Sequence, residues 1–320
     1  MSEPNRGGDA TFDQIAEAGA SAEQIARATE KALALPLWKG SIAPKNLSGG
    51  LSTVNLVVED ETGKYVVRVG GDVPTFGVVH ANELIAMRAM HAAGVAPEVV
   101  FAEGDVTVMR FIEGKALKPD DVRQPETLER LGRTIRRYHD EAYKHLTGPG
   151  FMFWPFHHNR WLMDQTEAHK AQLDPRWAAE IPAMRALMAE AEAVISAVNL
   201  VFAHNDMLPQ NIIDDGEKLW IVDWEYAGYD SHLFDLAGIA MNAEMNRDEA
   251  SIMSTAYDGA PLDDPGYKRL MAMVMAASVR ETVWSYLAEV TPRPIAFDYS
   301  IYSVMNTERH HRLLATYQES

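Results

Sequence analysis

Cysteine is absent from this 320-residue chain, which excludes disulfides, thiolate nucleophiles and cysteine metal sites. No long apolar run is present either. The longest, Met271–Val279, falls well short of the roughly 20 residues that span a bilayer. Residues 1–10 are polar, include Gly7 and Gly8, and contain no apolar signal core. The sequence therefore predicts a soluble, cytoplasmic protein, with disorder over residues 1–10. Basic residues are scarce: 29 lysines and arginines stand against 46 aspartates and glutamates, a net charge of −17. A nucleic-acid binder needs a basic face for phosphate, so that class is set aside, and no membrane partner is expected. The summed negative field favours the approach of a cationic small molecule. Acidity alone also serves simply to keep a protein in solution.

What the chain does have is apolar substance. Hydrophobic residues make up 47% of it, ample for one large or two modest domains. Ser21 followed by Gln24 forms a capping box that starts a helix running to about Leu35, stopped by Pro36. Val54–Val58 and Tyr65–Val69 have strand composition and are joined by a polar turn. A helical stretch over Val79–Ala93 closes on Gly94, with Pro97 shortly after. Val99–Ala102 and Val106–Ile112 form another hairpin. From Glu113 the pattern turns helical, with three- and four-residue apolar spacing over Leu128–Tyr143, Ala178–Val198 and Tyr267–Glu289. The order predicts an α+β protein of two lobes. A small antiparallel-sheet lobe occupies residues 1–112 and a larger, mainly helical lobe residues 113–320, hinged near Arg110–Gly114.

Two apolar runs, Val201–Ala203 and Leu219–Val222, flank a polar loop carrying His204-Asn205-Asp206 and Asn211. Asp223 leaves the end of the second run. The spacing is that of His-x-Asp-x-x-x-x-Asn, and Asp223 stands where a metal-binding aspartate follows in phosphoryl-transfer enzymes. That chemistry needs one carboxylate to orient the attacking hydroxyl and take its proton. It also needs an amide oxygen and a second carboxylate to hold Mg²⁺. The same residues suit a plain β-hairpin turning at Asp214-Asp215-Gly216.

With His204-Asn205-Asp206 and Asp223-Trp224-Glu225-Tyr226, the chain resembles the aminoglycoside phosphotransferase and choline/ethanolamine kinase superfamily. The resemblance covers roughly Leu35–Val290 and is to bacterial choline kinases in particular. It implies a two-lobed protein-kinase-like fold with ATP between the lobes. It makes Asp206 the catalytic base and Asn211 and Asp223 the Mg²⁺ ligands, with His204 bracing the loop and Asp235 anchoring its backbone. Leu47–Asn55 resembles a Gly-Gly-Leu-Thr-Asn phosphate loop. Gly49 and Gly50 let backbone amides approach phosphate, and Ser52 and Thr53 add hydroxyl donors. Ser52-Thr53 departs from the Thr-Asn of that loop, while Asn55 matches its later asparagine. By itself the segment is a flexible glycine turn. Arg68 takes the place of the phosphate-binding lysine, where a guanidinium grips phosphate bidentately, and Glu83 is its candidate partner. Without the family, Arg68 is equally a surface residue of an edge strand, and Glu83 a solvated helix residue. The backbone of Arg110 to Ile112 is assigned to adenine, which adds Arg110 and Ile112 to the nucleotide set.

On the acceptor side the resemblance assigns Glu225 and Tyr226, together with Glu281 and Trp284 of Arg280-Glu281-x-x-Trp284. An aromatic face holds a quaternary ammonium by cation–π attraction, and carboxylates add Coulombic attraction. Trp284 in isolation is helix core. Leu208 replaces a glutamine of some choline kinases, and Asn242 stands where an acidic residue is expected. Tyr299, Tyr302 and Tyr317 lie beyond the resemblance and are candidates for an aromatic wall. The pairs His157-His158 and His310-His311 diverge and suggest solvated surface rather than metal ligands. The implied function is ATP- and Mg²⁺-dependent phosphorylation of a choline-like cationic alcohol by a monomer or homodimer. The alternatives are an aminoglycoside or thiamine phosphotransferase of the same fold and, from another class, an inactive binding pseudokinase. Intact Asp206, Asn211, Asp223 and Arg68 count against the last.

Overall fold

The computed structural model of the protein describes residues 20–47, 52–195, 197–293, 295 and 297–319. Residues 1–10 and the phosphate-loop candidates Gly49 and Gly50 lie outside the described residues. The small lobe is built on one antiparallel sheet. Its strands are β1 (Lys45–Leu47), β2 (Val54–Asp60), β3 (Gly63–Val69), β4 (Val99–Glu103) and β5 (Val106–Arg110), in the order β1-β2-β3-β5-β4. Alternation along β2 buries Val54, Leu56 and Val58. These side chains pack with Val67, Val108 and the alanines Ala28 and Ala32 of α1 (Ala22–Leu33) in a cluster separate from the main core. The capping box that opens α1 is complete, with Gln24 N–H donating to Ser21 Oγ and Ser21 N–H to Gln24 Oε1. α2 (His80–Ala92) ends at Gly94, whose φ of 78° is the left-handed conformation that glycine adopts without strain. The short β1 has no alternating burial to betray it, because all three residues are exposed.

The large lobe contains α3 (Pro125–Glu141), α4 (Pro155–Ala168), α5 (Pro175–Val194), α6 (His232–Asn242), α7 (Arg247–Asp258), α8 (Asp264–Val290) and α9 (Tyr299–Glu319). α8 is its axis. Every residue from Leu270 to Ala288 is buried, and α4, α5, α6 and α9 pack around it. The longest apolar run of the sequence is thus an interior helix, apolar on all sides because all sides are covered. Among the described residues no helix is long and apolar enough to cross a membrane.

Two small antiparallel sheets position the polar loop. β7 (Leu200–Ala203) pairs with β10 (Gly228–Ser231), and β8 (Ile212–Asp214) with β9 (Leu219–Ile221) and β6 (Lys115–Ala116). They bring residues 204–211 and 222–227 side by side. One member of each histidine pair corrects the solvated expectation. His157 and His311 are exposed. His310 is buried with Nδ1 3.1 Å from Ser278 Oγ, and the His158 ring lies 4.5 Å from Phe153 with its Nε2 shielded from solvent.

Candidate active site

The loop after β7 is clamped from below. Asp235, in the first turn of α6, accepts the backbone N–H of His204 at 2.9 Å and of Asn205 at 2.8 Å. It also accepts Tyr138 Oη–H at 2.5 Å, and His139 Nε2 lies 3.0 Å away. Burial alone would push its carboxyl up. The hydrogen bond and charge of His139, with His204 and Tyr138, outweigh that and hold it at about 2. His204 is a brace: Nδ1 accepts the Asp206 N–H at 3.1 Å and Nε2 donates to the Val222 carbonyl at 3.0 Å. Asn205 and Asp223 both have positive φ, 66° and 69°. Such a conformation costs non-glycine residues on the order of 1–3 kcal/mol and persists only where the surroundings enforce it. Asn205 Nδ2 donates to the Tyr226 carbonyl at 2.9 Å, which ties the two bends together.

On the nucleotide side, Arg68 rises from β3 and its Nη2 meets Asp223 Oδ1 at 2.9 Å and Glu83 Oε1 at 3.0 Å. Burial works against its charge, but Asp223, Glu83 and Glu225 raise its pKa well above the ordinary value, so Arg68 stays a cation. Ser52 donates its hydroxyl across the cleft to Glu225 Oε2 at 2.7 Å. Thr53 instead turns to Asn55 Oδ1, 3.4 Å away. The Arg110 amide is already used, donating to the Glu98 carbonyl at 2.9 Å, and the Phe111 amide donates to Lys64 at 2.9 Å. The Arg110 side chain points to Tyr65 Oη and Thr62 on the other side of the strand. Of the backbone assigned to adenine, the Arg110 and Phe111 amides are thus committed within the small lobe.

Asn211 and Asp223 line one cavity of about 120 Å³ together with Asp206. Asn211 Nδ2 donates to the Asp206 carbonyl at 3.2 Å, which fixes the amide beside Asp206. One carboxylate and one amide oxygen are hard donors, and Mg²⁺ takes its remaining ligands from water and phosphate. The donor set fits that ion. Among the described residues no cluster of three or more acidic or histidine side chains offers an all-protein metal cage.

The acceptor side departs from the sequence expectation in its charges. Arg280, one turn before Trp284 on α8, sends Nη1 to Asp206 Oδ1 at 2.7 Å and to Glu281 Oε1 at 2.6 Å. The other Glu281 oxygen accepts Tyr302 Oη–H at 2.7 Å. Glu281 is thus fully engaged rather than a free anion. Burial, then the charges of Asp223 and Glu83, push the Glu225 carboxyl up to about 8 against the pull of Arg68. The shift makes it a weaker Coulombic partner for a cation than the sequence suggested. Burial likewise raises the Asp206 carboxyl, and Arg280 pulls it back down. Trp284 Nε1 donates to Tyr226 Oη at 3.0 Å, and Tyr302 and Tyr299 meet Trp284 edge-on at 5.9 and 6.0 Å. Asn242 braces Met207 and receives Arg309, a structural polar contact.

Arg280 is the residue that sequence reasoning missed. It stands inside the Arg280-Glu281-x-x-Trp284 motif, but its partner Asp206 lies 74 positions away, and no local pattern discloses that pairing.

A five-stranded lobe over a helical one, with a braced His-x-Asp-x-x-x-x-Asn loop facing the sheet, is the protein-kinase-like fold. The family model described as choline/ethanolamine kinase matches residues 45–261, more than half of the chain. The chain belongs to that family. Ethanolamine kinase 2 of Mus musculus is 27% identical over 214 residues, which cover 63% of this chain and 54% of the relative. The chain spans about half the length of the curated relatives it first matches. A solved choline/ethanolamine kinase family protein from Mesorhizobium loti superposes with a TM-score of 0.69 at 24% identity, covering 91% of this chain and 95% of that one. Choline kinase LicA from Streptococcus pneumoniae gives 0.70 at 16%, covering 91% and 99%.

Proposed function

We propose that the protein transfers the γ-phosphoryl group of ATP to the hydroxyl of a cationic amino alcohol, choline first among them. One observation carries this reading: Asp206, Asn211 and Asp223 surround the same cavity as Glu225, Glu281, Tyr226, Trp284 and Tyr302. Asp206 orients the acceptor hydroxyl and takes its proton as the new O–P bond forms and ADP departs. Arg280 fixes the orientation of that carboxylate. Arg68 binds phosphate oxygens, with Ser52 and the loop around Gly49 and Gly50 adding donors. Asn211 and Asp223 would hold Mg²⁺, which would offset the negative charge of the phosphates. Family membership supports ATP as the donor.

The cavity's acidic and aromatic lining favours a small organic cation. At about 120 Å³ it is well below the few hundred Å³ of pockets for drug-sized ligands, which disfavours a polyamine sugar. Ethanolamine is the second reading, favoured by the arginines that lie over Tyr226 and Trp284. The lobe division at Ile112 also remains a proposal, because Ile295 crosses it to enter the small lobe's core.

The test is ADP release with choline, ethanolamine, thiamine and kanamycin as separate acceptors. Turnover with an amino alcohol is expected. Turnover with kanamycin alone, or with none of the four, would reject the reading.

A further inference from the structure

Both rings that the sequence assigns to an acceptor's cation already carry a guanidinium. Arg280 lies 4.3 Å from the centroid of Tyr226, and Arg293 lies 4.3 Å from that of Trp284. The two are held very differently. Arg280 is sealed by ion pairs to Asp206 and Glu281. Arg293 sits in the connection between α8 and α9, over Phe76 at 3.9 Å as well as Trp284; its buried Nε lacks a hydrogen-bond partner, as does that of Arg280, but among the described residues no carboxylate is paired with Arg293. Without an ion pair, Arg293 is held by the ring faces of Phe76, Trp284 and Tyr299 rather than by a carboxylate. Arg293 is therefore the displaceable cation of the two. Its backbone, by contrast, is anchored close by. Ile295, two residues on, is 1% exposed and packs with Ala28 and Ala32 of α1 in the small lobe's core.

We propose that Arg293 is a specificity-determining residue, an internal cation that occupies the Trp284 face until an acceptor's quaternary ammonium displaces it. This rests on the amino-alcohol reading of the site. A trimethylammonium group is diffuse, weakly hydrated and unable to donate hydrogen bonds, so it needs the ring face and must compete for it. A primary ammonium can donate hydrogen bonds to side-chain oxygens lining the cavity, those of Asp206, Glu225 and Tyr302 among them, so it needs no ring face and leaves Arg293 in place. The residue selects against methylated nitrogen without touching the hydroxyl that reacts.

Tetramethylammonium has no hydroxyl and reports the ring face without turnover. Calorimetric titration of the full chain is expected to show that Arg293→Ala binds it about five- to thirty-fold more tightly than wild type, the scale of one desolvated cation–π contact. Arg293→Met, which keeps the apolar stem, should show the same gain, and Arg293→Lys little of it. Adding Trp284→Leu to Arg293→Ala should abolish the gain. In turnover, the choline KM should fall by a similar factor in the Ala and Met variants, with the KM values for ethanolamine and ATP unchanged. Unchanged or weaker tetramethylammonium binding in both the Ala and Met variants overturns the proposal, as does a gain that survives loss of Trp284. Tighter binding in a protein that phosphorylates no amino alcohol would uphold the role of Arg293 while sinking the functional reading.

Discussion

Arg68 and Arg280 face one another across the cleft as near mirror images: each is a buried guanidinium gripped by two carboxylates. The difference lies in who else can reach those carboxylates. Around Arg280 the side chains are sealed, with Arg280 4%, Asp206 12% and Glu281 8% exposed. Around Arg68 one partner, Asp223, keeps 27% of its side chain in contact with solvent. In the proposed reaction the Arg68 cluster would trade Asp223 for phosphate and let the aspartate turn to a cation. The Arg280 cluster is a closed frame that fixes the Asp206 carboxylate, the proposed base, and lowers its pKa against burial. Similar ion pairs thus act as a contact to be exchanged in one lobe and as scaffolding in the other.

The strongest way to break this contrast is at the base itself. Asp206→Asn should lower turnover roughly 10²- to 10⁴-fold while leaving the fold and ATP affinity in place. Near wild-type turnover in a folded variant would remove Asp206 from the role. Arg280→Met comes next. It strands two buried carboxylates, so urea unfolding should show a loss of about 3–5 kcal/mol. It should also move the acid limb of the kcat/KM profile. The Arg280 charge pulls the Asp206 carboxyl down against burial. Without it that pKa rises, the proton-accepting form disappears at a higher pH, and activity is lost sooner on acidification. A limb that stays put would mean that Arg280 does not govern the base.

Arg68→Met sharpens the comparison from the other side. Its stability loss should be smaller than that of Arg280→Met, because water reaches Asp223. ATP affinity should fall by more than adenosine affinity, as calorimetry can measure. Equal losses for the two ligands would make Arg68 a packing residue. Smallest in scale is Trp284→Ala, which should raise the KM of a quaternary acceptor about five- to thirty-fold. Trp284→Phe should recover part of this and Trp284→Leu none. Rescue by leucine equal to that by phenylalanine would reduce Trp284 to core.

How legible each part was in the sequence follows from how local its cause is. The capping box at Ser21, the strand composition from Val54 to Val58, Gly94 and the loop from His204 to Asn211 are short-range patterns, and each appears where the sequence placed it. Asp235 under the loop was also foreseen. α9 was not, because much of its buried face is polar: Ser303, Asn306, Thr307, Arg309 and His310 are covered and hydrogen-bonded, which hides the apolar period. The same blindness applies to charge. Glu225 and Glu281 looked like free anions, yet burial and neighbouring charges raise the pKa of one and long-range partners engage the other. Of the aromatic candidates beyond the resemblance, Tyr299 and Tyr302 meet Trp284, while Tyr317 packs in the main core.

The bond from Ser52 to Glu225 has a consequence for the order of events. A hydroxyl carries a single proton, and here that proton is committed to a residue on the acceptor side. A phosphate oxygen that claims it releases the Glu225 carboxyl in the same motion. Nucleotide and acceptor should then each tighten the other's binding, and by the same factor, since linkage between two ligands runs equally in both directions. A protein loaded with a non-hydrolysable ATP analogue should bind its alcohol more tightly than the empty protein. Ser52→Ala should erase that cooperativity.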